Sequence, residues 1–292
     1  MKEEITIWSE GTRLAADLFL PDDLREGETR PAILLCHGWG GSKAHLSKTY
    51  APCFCEGGFV CLTFDYRGWY ESDSRLVTMD KQPEPDADGF MTVRAKPVRE
   101  IVDPLDQNRD IHNALDYLLT VDAVDTSKVG LWGTSYGGGH VIYVGGTDQR
   151  IKAIVSQVPG MGRPLNADGF ANIPEEGQVI AGKMARGEVD IVPRPAGMAD
   201  SLKGAGDFRT MWQYLPRVAA ANIKVPTLIM DQEEEEYGGR ENSGLAAKNT
   251  IPASTTVKYH VFPGGHYDVY KKNQPESARM ALEWFSGHLR AE

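Results

Sequence analysis

Six short apolar runs, Ala32–Cys36, Phe59–Phe64, Val129–Trp132, Ile151–Val158, Pro226–Met230 and Val257–Phe262, are nearly continuous instead of alternating. A strand with one wet face needs a polar residue at every second position, so strands written this way are covered on both faces. Between them the spacing changes. Ile111, Leu115, Leu118 and Leu119 follow one another by four, three and one, which puts all four on one helical face, and Ala278, Leu282, Phe285 and Leu289 form a second such face. Strands that alternate with helices pair in parallel through right-handed crossovers. The expected fold is therefore α/β, a mostly parallel doubly wound sheet with functional loops at the carboxyl ends of its strands. Ahead of it, Ile5–Trp8 and Arg13–Leu20, separated by Ser9-Glu10-Gly11 and closed by Pro21-Asp22-Asp23, read as an N-terminal antiparallel hairpin.

Two stretches break the rhythm. From Gly160 to Asn222 the apolar positions are too scattered for one regular element and the stretch is too long for a plain loop, so it reads as an inserted cap with short helices, one of them over Thr210–Ala221. This divides the chain into a core at 1–159, a cap at 160–222 and the rest of the core at 223–292. Ser72–Asp106, with Pro83, Pro85, Pro97 and Pro104 among many charges, is expected to wrap over the site before the next helix. Charge narrows the partners: 31 Lys and Arg against 41 Asp and Glu give −10, and no basic block interleaved with aromatics is present, so nucleic acid is not an expected partner. No apolar run reaches the roughly 18 residues of a membrane span, and Met1–Trp8 mixes charged with apolar residues, which predicts a cytoplasmic protein with no membrane partner. Cys36, Cys53, Cys55 and Cys61 lack zinc-site spacing and read as buried thiols, with no metal expected. Oligomeric state is left open, a homo-oligomer included.

Gly133-Thr134-Ser135-Tyr136-Gly137 fits G-x-S-x-G and lies between the strand Lys128–Trp132 and a small-residue run that leads into Val141, Ile142 and Val144. A strand-to-helix turn of this kind presses its backbone against neighbouring elements, which glycine permits, and lifts a strained serine hydroxyl out of the sheet. In a chain with 31 glycines the pentapeptide alone says little, and the strand-turn-helix context is what separates Ser135 from an ordinary helix-capping serine. A serine hydroxyl needs a base to become a nucleophile. His266, after Val261-Phe262-Pro263-Gly264-Gly265, stands on a loop past the last strand and can reach it. His260 falls inside a strand, His112 and His288 in helices, His140 in or at the start of the helix after Ser135, and His45 in a polar loop, while His37 reads as structural. Acyl transfer also needs amides aimed at the developing oxyanion, for which Tyr136 and Trp39 are the candidates. The aromatics Trp39, Trp212, Tyr214 and Tyr267 suggest a partly apolar pocket, with Trp212, Tyr214 and Tyr267 as candidate substrate contacts against the plainer reading of core packing.

Taken together, His37-Gly38-Trp39-Gly40-Gly41, Asp65-Tyr66-Arg67-Gly68, Gly133–Gly137, the acidic run after Val225–Met230 and Gly265-His266 resemble the α/β-hydrolase superfamily over nearly the whole chain. Within it the sequence looks like the esterases and peptidases around dienelactone hydrolase and the X-prolyl dipeptidyl peptidase/cocaine esterase branch. That resemblance implies a Ser-His-acid triad, an acyl-enzyme intermediate and no cofactor. It also implies an acid that precedes the histidine. Asp231 and Glu233–Glu236 all qualify by position; counting from Pro226, residue 235 falls where the acid of related hydrolases does, so Glu235 is chosen, with Glu233 and Glu234 as runners-up. The chain departs from the usual pattern in this run of four glutamates and at Trp69-Tyr70, where a smaller residue commonly follows. Asp65 and Arg67 are expected to brace loops. The implied activity is hydrolysis of a small-molecule carboxylic ester by Ser135, His266 and Glu235. A peptidase, an amidase or a carbon–carbon bond hydrolase would use the same triad, and a non-catalytic binding protein would keep only the fold.

Overall fold

Runs without a polar face become interior strands. In a computed structural model, which describes residues 1–166, 175–188 and 202–290, the strands are β1 (Lys2–Ser9), β2 (Thr12–Phe19), β3 (Arg30–Cys36), β4 (Val60–Phe64), β5 (Val124–Thr134), β6 (Ile151–Gln157), β7 (Thr227–Glu234) and β8 (Val257–Gly265). Among the described residues they form one eight-stranded sheet in the order β1-β2-β4-β3-β5-β6-β7-β8. β2 runs antiparallel to both neighbours and every later pairing is parallel. The helices are α1 (Lys43–Glu56), α2 (Pro104–Leu118), α3 (Tyr136–Gly145), α4 (Glu175–Ala185), α5 (Phe208–Met211), α6 (Pro216–Ala220), α7 (Gly244–Thr250) and α8 (Gln274–Leu289). Leu34 of β3 and Leu131 of β5 join Ile111, Leu115, Val141 and Ala247 in one core, whereas Ile33, Leu35 and Trp132 join Leu46, Phe54, Phe285 and Leu289 in the other. Side chains alternate between these two cores, which is why the strands show no polar period.

Several bounds differ from the sequence expectation. β7 continues to Glu234 and β8 to Gly265 because these residues still pair after the apolar side chains stop. Helix α2 begins at Pro104, before Asp106, since the Asp103 carboxylate accepts from the amides of Leu105 at 3.0 Å and Asp106 at 3.2 Å and proline suits a first helical position. The single helix expected over Thr210–Ala221 is two pieces, α5 and α6. Pro216 disfavours helical backbone at Leu215, which sits at φ −123° and ψ 65°. Helix α6, inside the expected insert, packs on α3 and buries its own Ala219 and Ala220. Residues 167–174 and 189–201 of that insert lie outside the described residues. The stretch Ser72–Asp106 forms a small arm, Leu76–Thr78 paired antiparallel with Ala95–Pro97, and then Ile101–Val102 pairs with Ala205–Gly206.

Polar bonds lock the loops at the carboxyl edge. Asp65 accepts from the Lys43 amide at 2.7 Å, where α1 starts. Asp110, fully buried in α2, takes the Arg67 amide at 2.9 Å, Arg67 Nε at 2.8 Å and the Ser9 hydroxyl at 2.7 Å, tying β1 and the loop after β4 to one helix. Deleting one partner of such a pair strands the other charge. Arg67→Met should therefore lower unfolding free energy by about 3–5 kcal/mol, and the double variant Arg67→Met/Asp110→Leu should lose less, as read from urea midpoints.

Two imidazoles are buried just beneath these loops. Burial pushes the His37 pKa down to about 4 and that of His140 to about 3, so both are neutral in the folded protein. Unfolded, each would titrate near its ordinary value of 6.5, so their contribution to stability is complete above pH 6.5 and is lost as pH falls toward 4. Burial raises the Asp65 pKa to about 6, and this acts oppositely, favouring the folded state once pH drops below 6. At about 1.4 kcal/mol per unit, these two imidazoles outweigh this one carboxyl, and the three groups together withdraw about 2 kcal/mol by pH 5.5. The urea midpoint should fall between pH 7.5 and 5.5; a flat or rising midpoint would mean that the imidazoles accept protons without unfolding.

Candidate active site

The turn between β5 and α3 holds Ser135 at φ 55° and ψ −123°. A non-glycine residue there costs about 1–3 kcal/mol and persists only where its surroundings over-determine it. They do. The Ser135 amide donates to the Gln157 carbonyl at 2.8 Å, and its own carbonyl accepts from Gly139 at 3.2 Å and Gly160 at 2.9 Å. At Gly137 a methyl group would stand 2.4 Å from the carbonyl oxygens of Cys36 and His37, so the turn is pressed onto the end of β3 as closely as backbone allows.

His266 opens the turn His266–Tyr270 at the end of β8. Its Nε2 lies 3.1 Å from Ser135 Oγ, and its Nδ1 lies 2.9 and 2.8 Å from the two carboxylate oxygens of Glu235. With Nδ1–H donating to Glu235, Nε2 is left to accept from the serine hydroxyl. Both His266 and Glu235 are buried. The acidic run divides its work. Asp231 accepts from the Ser243 hydroxyl, the amides of Gly244 and Leu245 and the Tyr259 hydroxyl at the start of α7; Glu233 and Glu234 are exposed; Glu236 takes the His266 amide at 2.6 Å. Glu235 also accepts from the Tyr237 amide at 3.0 Å.

Ser135, His266 and Glu235 line a cavity of about 740 Å³. Trp39 and Tyr136 line it as well, Trp39 on the loop after β3 and Tyr136 as the first residue of α3, whose leading amides fall outside the helical ladder. Their rings meet edge to face at 5.5 Å. Of the expected substrate contacts, Tyr267 lines the cavity and two do not. Tyr214 is buried behind it among Tyr136, His140 and Tyr143, and Trp212 packs against Gly177 of α4. No residue of 72–106 is among the described lining residues either, so that stretch does not wrap over the site; its neighbour Tyr70 does line it.

Sequence reasoning missed Tyr70, Tyr237, Tyr270 and His45, all of which line the cavity. His45 lies in the first turn of α1 and not in a loop. The Tyr270 hydroxyl is 2.7 Å from Thr134 Oγ1, which also accepts from Gln157 Nε2 at 3.0 Å, bracing the residue before Ser135. The hydroxyls of Tyr237 and Tyr267 meet at 2.8 Å, with both rings edge-on to His266. Only proximity in sequence to Glu235 and His266 could have flagged these tyrosines.

Comparison with known proteins agrees with this architecture. An uncharacterised 31.7 kDa protein of Escherichia coli from the traX-finO intergenic region is 29% identical over 95% of this chain and 98% of its own length. The solved α/β hydrolase GrgF of Penicillium sp. superposes with a TM-score of 0.68 at 18% identity, covering 100% of both chains. Est1E of Butyrivibrio proteoclasticus, solved with ferulic acid bound, superposes with a TM-score of 0.66 at 19% identity, covering 97% of this chain and 99% of its own. The family model for X-Pro dipeptidyl-peptidase (S15 family) matches residues 10–274, and the chain, with its α/β-hydrolase fold, belongs to that family.

Proposed function

We propose that the protein is a serine hydrolase of neutral carboxylic esters that works through an acyl-enzyme on Ser135. The observation that carries this reading is the relay of bonds from Ser135 Oγ through both ring nitrogens of His266 to Glu235 at 3.1, 2.9 and 2.8 Å. His266 Nε2 takes the hydroxyl proton as Ser135 attacks the acyl carbon, and the same nitrogen returns it to the leaving alcohol. Water then enters and gives a proton to His266 Nε2 as it attacks the acyl carbon, and His266 returns that proton to Ser135 Oγ as the acyl–oxygen bond breaks and the acid leaves. Glu235 holds the imidazole in the tautomer that can accept and steadies the cation formed. The amides of Trp39 and Tyr136 are the donors assigned to the oxygen that becomes negative.

The cavity wall supports ester in preference to dipeptide. A peptide with a free N-terminus brings an ammonium that needs an anionic partner. Among the described lining residues Glu235 is the single carboxylate, and it is committed to His266. The rest is largely glycine, aromatic and aliphatic, with Leu46, Val158, Met161, Leu202 and Met211 among them.

A fluorophosphonate probe should label the protein and fail on Ser135→Ala. Turnover of p-nitrophenyl esters should exceed that of aminoacyl-proline amides; the reverse ranking would overturn the ester reading, and no labelling would favour a binding protein. Glu235→Gln should lower kcat by about 10²- to 10⁴-fold, as expected when the orienting carboxylate is lost. Glu233→Gln and Glu234→Gln, both on exposed side chains, should stay within about twofold.

A further inference from the structure

The structure gives Tyr70 several unusual contacts. Its backbone lies at φ 39°, in the left-handed region that a bulky side chain avoids. The turn around it is held from many sides: Arg99 donates to the carbonyls of Tyr70 at 2.9 Å and Ser72 at 3.2 Å, the Gly68 amide donates to Asp73, and the buried Trp69 indole donates to the Ile101 carbonyl. The strain puts the Tyr70 ring into the cavity wall and its hydroxyl 2.6 Å from the Gly40 carbonyl, to which it donates. Lys203 Nζ sits over the ring, 4.6 Å from its centroid, and is fixed there by Glu100 at 2.8 Å.

Gly40 belongs to the glycine-rich loop Gly38-Trp39-Gly40-Gly41. Inside it the Gly41 amide donates to the Gly38 carbonyl at 3.1 Å, and His37 Nδ1 lies 2.9 Å from the same oxygen, so the Gly40–Gly41 peptide is tied through its amide to the peptide that carries the Trp39 N–H. Two further side-chain bonds hold the loop from outside. The Trp39 indole donates to the Lys203 carbonyl at 3.1 Å, and Tyr70 holds the Gly40 carbonyl from the other side. An oxyanion donor is effective only when its direction is set before the reaction. We infer that Tyr70 is a positioning residue: by anchoring the Gly40 carbonyl it aims the Trp39 amide at the oxygen of the tetrahedral intermediate. The inference rests on the reading of Trp39 as an oxyanion donor.

Tyr70→Phe keeps the ring and removes the bond. With p-nitrophenyl butyrate as substrate, and rates normalised to active sites titrated by the fluorophosphonate, kcat should fall about ten- to a hundredfold, since losing an oxyanion donor outright costs about 10²- to 10³-fold. KM should stay within about threefold. Affinity for a trifluoromethyl ketone, which adds the serine and forms the oxyanion, should fall in parallel with kcat. Trp39→Phe, which cuts the other tether, should behave alike. Wild-type kcat and wild-type ketone affinity in Tyr70→Phe would overturn the inference, as would a loss that vanishes on normalising to titrated sites. Absence of labelling and turnover in the wild-type protein would instead overturn the underlying reading of the site.

Discussion

Everything at the site depends on one close backbone approach, the turn after β5 lying against the loop after β3. At Gly38 a methyl group would stand 2.8 Å from Ser135 Cβ and 2.9 Å from the Thr134 carbonyl oxygen. Such contacts exist only because the sheet order seats β3 directly beside β5, with β4 passed to the outer side. Two loops distant in sequence thereby share one rim, and the next strands along that rim, β6, β7 and β8, deliver Val158, Glu235 and His266 in turn. The rule that parallel sheets bind ligands at the carboxyl ends of their strands is met here by contact between backbones.

Strain gathers at the same rim. Among the described residues, five non-glycine residues have positive φ, and Tyr70, Ser135 and Val158 of these line the cavity. Each is pinned through its main chain, Tyr70 by the Arg99 side chain on its carbonyl at 2.9 Å and Val158 by its amide to the Met230 carbonyl at 2.6 Å. Two apolar cores, one on each face of the sheet, provide a frame stiff enough to hold such conformations.

The sequence was legible where one physical pattern dominated. Continuous apolar runs located the interior strands, and G-x-S-x-G after a strand located the turn. The hydrogen-bonded neighbour of His266 was harder, because four identical glutamates differ only in what buries them. β7 carries its pairing on to Glu234, and only the turn beyond it swings Glu235 inward while Glu236 bonds the His266 backbone. The aromatic assignments fared worst. Trp212 and Tyr214 have the residue types of a pocket wall, but Trp212 packs against Gly177 and Tyr214 against Tyr136. Tyr70 and Tyr270 act through tertiary contacts 30 and 136 positions away, for which a single sequence offers no local signal.

The partners of Ser135 come late in the chain: its imidazole neighbour lies 131 positions further on and its carboxylate comes from the strand before. During synthesis the serine can already occupy its strained turn between β3, β5 and β6 while β7 and β8 are still missing. The bonds from Ser135 Oγ to His266 and on to Glu235 can close only once β7 and β8 have joined the sheet.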